Sequence, residues 1–246
     1  AFLLLYKAYI FNQTRMRKIV NKPDLKLFLF YGLVLIPTFF LCCSRNDMAF
    51  FLVLVAMLLT SVIEIPIYGF KTKKPGYSAL EAACIGNFYG VPISEEMQAN
   101  NERTYKTQVT LNVGGFIIPL LFSVYLLLNY STLLLEISLA ILLMALFSYM
   151  LLEVKAGVGI VIPSYVGIFA IPLALILAPE VQAGNTAITG LIFILAIFGI
   201  LLGLLIAVAT LSQDEVGTDF FNLGRIGSFQ HIYPISILPL LIPTVS

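Results

Sequence analysis

The stretch "NTAITGLIFILAIFGILLGLLIAVAT" (residues 185–210) contains no charged residue from end to end. A helix needs about 20 apolar residues to cross the hydrocarbon core of a bilayer, so this stretch predicts a transmembrane helix. The whole chain of 246 residues is 60% hydrophobic and 11% charged, with a mean hydropathy of +0.99. Because soluble domains are about a quarter charged, this composition indicates a membrane protein.

The same criterion of length and apolarity marks further segments along the chain. These candidate spans are 27–43, 49–70, 112–128, 132–152, 157–178 and 233–245. Residues 1–11 are interpreted as the tail of one more span. The sequence therefore predicts an all-α fold, a polytopic transmembrane helix bundle of about 7–8 spans. Glycine and proline interrupt some of the spans, and residues 1–246 form one membrane domain in this prediction.

The basic residues predict how these spans are oriented. Nearly all loop lysines and arginines fall in 12–26, 71–111, 153–156 and 211–232, whereas the alternate loops contain only Arg45. By the positive-inside rule, these four loops are predicted to be cytoplasmic in a multi-pass protein of the cell membrane. Segment 71–111 is the one long polar stretch and is predicted to be a cytoplasmic insertion.

Five short motifs occur in a suggestive order: "IEIPIYGF" (63–70), "FYGVP" (88–92), "NVGGFIIPLLFSVYLL" (112–127), "GVGIVIP" (157–163) and "GTDFFNL" (217–223). Together they resemble the prokaryotic multispanning membrane family known as domain of unknown function sixteen-fourteen, over roughly residues 50–246. The resemblance implies the fold and supplies no activity. Two positions depart from the family pattern: Glu64 replaces an asparagine, and Gln230 lies near the place of a second aspartate. These departures weaken any mechanism that needs two carboxylates.

Polar and glycine-rich groups near the predicted cytoplasmic ends of the spans form a candidate ligand site. Glycine permits close backbone approach, and free N–H groups at helix N-termini accept anions, although small residues also serve plain helix packing. A carboxylate inside a span needs a partner, or it reaches toward the nearby lysines at the membrane surface. The candidate ligand-binding residues are Glu64, Asn112, Gly114, Gly115, Gly157, Gly159, Asp219, Asn222, Gln230 and His231.

Three geometric expectations follow from this site. Glu64 is expected to face away from lipid, within reach of a lysine, a backbone N–H or the loop after 210. Asp219 and Asn222, three residues apart, share a face if they are helical. Together with His231 they are expected to approach the turn at 114–115 from the cytoplasmic side.

The sequence constrains the function of the protein less than its location in a membrane. The chain is predicted to be an integral membrane protein of uncharacterised activity, a small-ligand binding or transport bundle, or alternatively a non-catalytic accessory or scaffold subunit. An enzyme is the weakest alternative, because aspartyl chemistry needs two carboxylates that share a proton. The single histidine and three cysteines, of which Cys42 and Cys43 are adjacent, predict no metal site, and nothing in the sequence indicates a cofactor. The expected partner is the lipid bilayer, with other membrane subunits or a homo-oligomer left open. A net charge of +1 gives no indication of nucleic acid.

Overall fold

The structure is a computed structural model, and it describes residues 25–73, 76–89, 93, 104–128, 133–155, 159–163, 165–177, 185–211, 220–224 and 229–241. The helices in these ranges are α1 (Leu25–Arg45), α2 (Met48–Thr60), α3 (Ala79–Tyr89), α4 (Val113–Leu128), α5 (Leu134–Leu151), α6 (Val166–Leu177), α7 (residues 185–210) and α8 (Phe229–Leu241). Helix α4 opens with a π-helical turn, Val113–Ile117, and α7 contains a second one, Ile194–Phe198. The predicted span 1–11 lies outside the described residues.

Helix α7 is the centre of the bundle. Helices α4, α5, α6 and α8 all pack against it, and 72% of the apolar window Ile188–Thr210 is buried. A helix that is hydrophobic all round is buried in a protein core or lies within a membrane, and α7 has most of its surface covered by other helices. Two glycines bring α5 close: a Cβ on Gly199 would lie 2.4 Å from Met144 Cβ, and a Cβ on Gly203 would lie 2.6 Å from Ser148 Cβ. Small residues of this kind let helix backbones approach in membrane bundles.

The outer helices leave large apolar side chains uncovered. In the described part of the chain, three helical windows are long and apolar enough to cross a membrane: Phe28–Arg45, Leu134–Leu151 and Ile188–Thr210. Only 17% of the first window is buried inside the protein. Exposed apolar surface on this scale is what a lipid-facing helix presents. The length and exposure of these helices indicate a membrane protein.

Short β-strands accompany the helices, so the prediction of an all-α fold is wrong in this respect. Strands β1 (Glu64–Lys73), β2 (Thr104–Asn112) and β5 (Phe220–Leu223) form a sheet in the order β1-β2-β5. Strand β1 pairs antiparallel with β2, and β2 pairs parallel with β5. Strands β3 (Glu153–Lys155) and β4 (Gly159–Val161) form a separate hairpin.

The strands correct two predicted spans. Span 49–70 ends as a helix at Thr60, and its second half is strand β1. Span 157–178 begins with strand β4, and its helix starts at Val166. In both cases an apolar run is shared between a helix and a strand, and hydropathy alone does not distinguish them. The predicted segments 27–43, 112–128, 132–152 and 185–210 coincide with α1, α4, α5 and α7, whereas α8 begins four residues before the predicted segment 233–245.

Helix α3 begins with a reciprocal capping box. The Ser78 N–H and hydroxyl donate to Glu81 Oε2 at 2.9 and 2.8 Å, and the Glu81 N–H donates to Ser78 Oγ at 3.3 Å. These hydrogen bonds, with the Ser78 N–H first, hold the pKa of the Glu81 carboxyl below its ordinary value. The motif fixes the start of a helix inside the polar stretch 71–111, whose cytoplasmic position stays a prediction, as does that of the other three loops.

Candidate functional site

The end of α2, the sheet and the start of α4 converge on Asn112. The Asn112 side-chain oxygen accepts the Gly115 N–H at 2.7 Å and so caps the π-helical start of α4. Its amide nitrogen donates to the Ser61 carbonyl at 2.5 Å and to the Ile63 carbonyl at 3.4 Å. The Val113 N–H also donates to the Ile63 carbonyl, at 3.0 Å. One fully buried side chain thus joins the link between α2 and β1 to the entry of α4.

Glu64 lies beside this junction and is 3% exposed. It is the first residue of β1 and pairs with Asn112 in the sheet register. The Thr110 hydroxyl, also buried, donates to Glu64 Oε2 at 3.3 Å. The predicted span 49–70 placed Glu64 inside a transmembrane helix. This placement is wrong, because Glu64 lies in a strand. Its burial away from solvent and lipid agrees with the expectation, but Thr110 was not among the expected partners.

Two glycines make the convergence sterically possible. A Cβ on Gly114 would lie 2.1 Å from the Met57 carbonyl oxygen and 2.7 Å from the Ser61 nitrogen. Gly224 has a φ of +88° and follows directly after β5, and its Cβ would lie 2.9 Å from the Gly115 carbonyl carbon. Both positions require glycine, because the obstructing atoms are backbone and Gly224 is in the left-handed region. Gly114 and Gly224 thus serve close packing in the described structure.

Strand β5 brings the last polar motif to the same sheet. Its register places residue 222 beside Thr110 and residue 223 beside Leu111. Asp219 and Asn222 were expected to share a face if they are helical, and Asn222 lies in the extended stretch Phe220–Leu223, so that condition is not met at Asn222. The contact of Gly224 with Gly115 brings the backbone after β5 to the start of α4. The expected approach of three polar side chains to this turn stays a prediction, since they are not described.

Several predicted site residues are therefore located only in part. Gly157 and Asp219 lie outside the described residues. Asn222 is in β5, and Gln230 and His231 are in the first turn of α8, with their side chains outside the described part. Two residues further on, the Tyr233 hydroxyl donates to the Leu54 carbonyl at 3.3 Å, which packs α8 against α2. These positions stay ligand-site predictions.

Gly159 lies in a hairpin of its own, and its place in the ligand site stays a prediction. It begins β4 with a φ of +107°, in a hairpin with β3, and so does not open a helix as Gly115 does. The positive φ explains why glycine occurs at this position.

Sequence reasoning missed two members of the junction, Thr110 and Gly224. The strand signal for Thr110 was present in "TYKTQVTLN" (104–112), which is rich in β-branched and aromatic residues. No comparable signal marked Gly224. Within the described residues, no group of three or more His, Cys, Asp or Glu could hold a metal ion. What the junction offers chemically is a buried carboxylate beside a hydroxyl, at the place where helices and sheet meet.

The helices and this junction define a class of protein: a mostly helical chain with apolar helices long enough to cross a membrane. A family model described as "Protein of unknown function (DUF1614)" matches residues 58–242. The chain therefore belongs to this family, as its motifs predicted. The match runs from the last turn of α2 to just beyond the end of α8, and it contains Glu64, Thr110 and Asn112. No curated protein and no solved structure matches the chain.

Proposed function

We propose that this integral membrane protein binds a small ligand at the junction around Glu64, and that the ligand carries a positive charge or a hydrogen-bond donor. The burial of Glu64 supports this assignment. An ionised carboxylate only accepts hydrogen bonds, and removing it from water is costly unless donors or cations satisfy it. The Thr110 hydroxyl supplies one such donor at 3.3 Å.

A thermal-unfolding assay in lipid nanodiscs tests the proposal. The chlorides of sodium, potassium, ammonium and methylammonium are the probes, each exchanged against N-methylglucamine chloride at constant ionic strength. A cation at ten times its dissociation constant adds about 1.4 kcal/mol to the free energy of unfolding. For a chain of this size that is a rise in Tm of roughly 3–6 °C.

Three variants make the assay specific. Glu64→Gln keeps the shape of the side chain and is expected to lose the cation response, whereas Glu136→Gln, a half-buried carboxyl in the first turn of α5, keeps it. Thr110→Val leaves the carboxylate in place and is expected to weaken the response without abolishing it. If no probe stabilises the parent more than it stabilises Glu64→Gln, the proposal is wrong.

The role of accessory subunit is favoured by a different observation. Both polar atoms of the Asn112 side chain are used inside the protein, by Gly115 and by the Ser61 and Ile63 carbonyls. That half of the junction therefore acts as a structural joint. An accessory subunit would copurify from native membranes with a stoichiometric partner, and none of the four cations would change its Tm.

A further inference from the structure

The outer strand of the three-stranded sheet carries an unusual set of exposed side chains. Ile65, Ile67 and Tyr68 in β1 are 46%, 53% and 48% exposed. These residues follow only a few positions after α2, and the backbone just before them is hydrogen-bonded to the start of α4 through Ile63. The apolar part of β1 is thus fixed at the level where the helices end.

A β-bulge places Ile65 and Tyr68 on one face of β1. The register shifts between Pro66 and Tyr68, so that Ile65 pairs with Leu111 and Tyr68 pairs with Val109. Leu111 and Val109 are two residues apart in β2 and therefore share a face. Residues directly opposite in an antiparallel pair also share a face, so Ile65 and Tyr68 lie on that side as well. Without the bulge, residues three apart would point to opposite sides.

The same face covers the end of the helix bundle. Val109 is fully buried in the core that the helices form, and Leu111 packs against that core. The central strand β2 therefore lies over the bundle, whereas Ile65 and Tyr68 on the outer strand are half exposed beside it. The sheet thus packs on the helix bundle through its central strand, and it leaves the apolar side chains of its outer strand half exposed.

The charges of β1 follow in the order that a membrane interface requires. Lys71 is exposed, and the register pairs it with residue 106, a second lysine. Along the strand, isoleucines come first, then tyrosine, then lysine. Lys71 follows Tyr68 by three residues without a bulge, so it lies on the other face of β1, from which its long side chain can reach the headgroups. Tyrosine is typical of the interfacial layer of a bilayer, and lysine of the level of the headgroups.

We propose that β1 is an interfacial membrane anchor, in which Ile65, Ile67 and Tyr68 enter the lipid interface around the bundle and Lys71 binds anionic lipid headgroups. The anchor is independent of any ligand at Glu64. A second copy of the chain is the other occupant that a sheet edge can take. Pro66, the bulge and the lysine on this strand are features that prevent edge-to-edge pairing, so they favour lipid.

The sequence contains no tryptophan, which allows a direct test. Tyr68→Trp creates a single fluorescent reporter in the full chain, and Phe88→Trp, at a position in α3 that is 82% exposed, is the matched control. Both variants are placed in nanodiscs whose phosphatidylcholine is brominated near the top of the acyl chains. The Tyr68→Trp emission is expected to be blue-shifted and quenched by bromine, and the Phe88→Trp emission to be unaffected. Equal quenching of the two reporters would overturn the proposal.

A second measurement tests whether Lys71 binds anionic lipid headgroups. In the Tyr68→Trp background, brominated phosphatidylglycerol is compared with brominated phosphatidylcholine at equal mole fraction. The apparent affinity for the anionic lipid is expected to be about fivefold higher, the contribution of one lysine near an anionic surface. Lys71→Gln should remove this preference, and Lys71→Arg should keep it. Preference that persists in Lys71→Gln, or quenching that appears only as the protein dimerises, would contradict the anchor.

Discussion

Replacing Asn112 with alanine should destabilise the protein more than any exposed polar substitution. Asn→Ala at a helix N-cap costs about 0.5–2 kcal/mol, here through the loss of the acceptor for the Gly115 N–H. The Ser61 carbonyl also loses its donor, and a buried polar group without a partner costs about 1–3 kcal/mol. The Ile63 carbonyl keeps the Val113 N–H and contributes little. The expected loss is about 2–4 kcal/mol, which lowers Tm by roughly 5–15 °C.

The loss of the hydrogen-bond acceptor and the loss of the donor can be measured separately. Asn112→Asp keeps an acceptor for the Gly115 N–H and removes the donor to Ser61. It also places a carboxylate opposite Glu64 in the sheet register, so its stability at neutral pH should be no higher than that of the alanine variant. Acidification should restore part of the loss, because a protonated carboxyl can donate again.

The assay is reversible unfolding in mixed micelles of dodecyl maltoside and dodecyl sulfate, followed by circular dichroism. Asn87→Ala, at an exposed position in α3, is the control and should lie within about 0.5 kcal/mol of the parent. If Asn112→Ala is as stable as this control, Asn112 does not hold the junction together.

The remaining predictions concern glycine contacts and one carboxyl. Gly114→Ala and Gly203→Ala should each lower the free energy of unfolding by about 1–3 kcal/mol or more, because the backbone must move to admit the new methyl group. Gly32→Ala, where no atom lies within 4 Å of the new Cβ, should be neutral or stabilising. Unfolding in the same micelles compares the three variants. Glu81 has a lowered pKa, so its contribution to α3 is present above the unfolded pKa and is lost as pH falls through the folded pKa. Ser78→Ala should move that pKa up toward its ordinary value and speed amide hydrogen exchange at the start of α3, and unchanged exchange would contradict the capping role.

Apolar length predicted the helices well, and the sheet could not be predicted in the same way. Helices α5 and α7 lie where runs 132–152 and 185–210 placed them, because a long apolar run without breakers has few other structures in a bilayer. Strand β1 directly continues the apolar run of α2. Its partner β2 begins about 30 residues after it ends, and a pairing between distant segments leaves no local signal.

The sequence singled out residues of the candidate site, but it did not predict how they are arranged. Glu64 and Asn112 were singled out for their polarity, and the structure places them opposite each other in one register. Thr110 became visible only once the β1–β2 pairing was known, because its hydroxyl reaches Glu64 across strands. The free N–H groups expected at the start of α4 are in part satisfied by Asn112 itself, a local capping contact that the sequence "NVGGFIIP" could have indicated.

The parallel pairing of β2 with β5 also determines when the sheet can be completed during synthesis. Residues 104–112 leave the ribosome roughly 110 residues before their second partner, and chains grow at about 5–20 residues per second. The β1–β2 hairpin must therefore wait roughly 5–20 s with one edge of β2 unpaired, while α4 to α7 are being made. During that interval the unpaired edge of β2 is accessible to any neighbouring chain. If synthesis stops before residue 220, this edge never receives its partner β5.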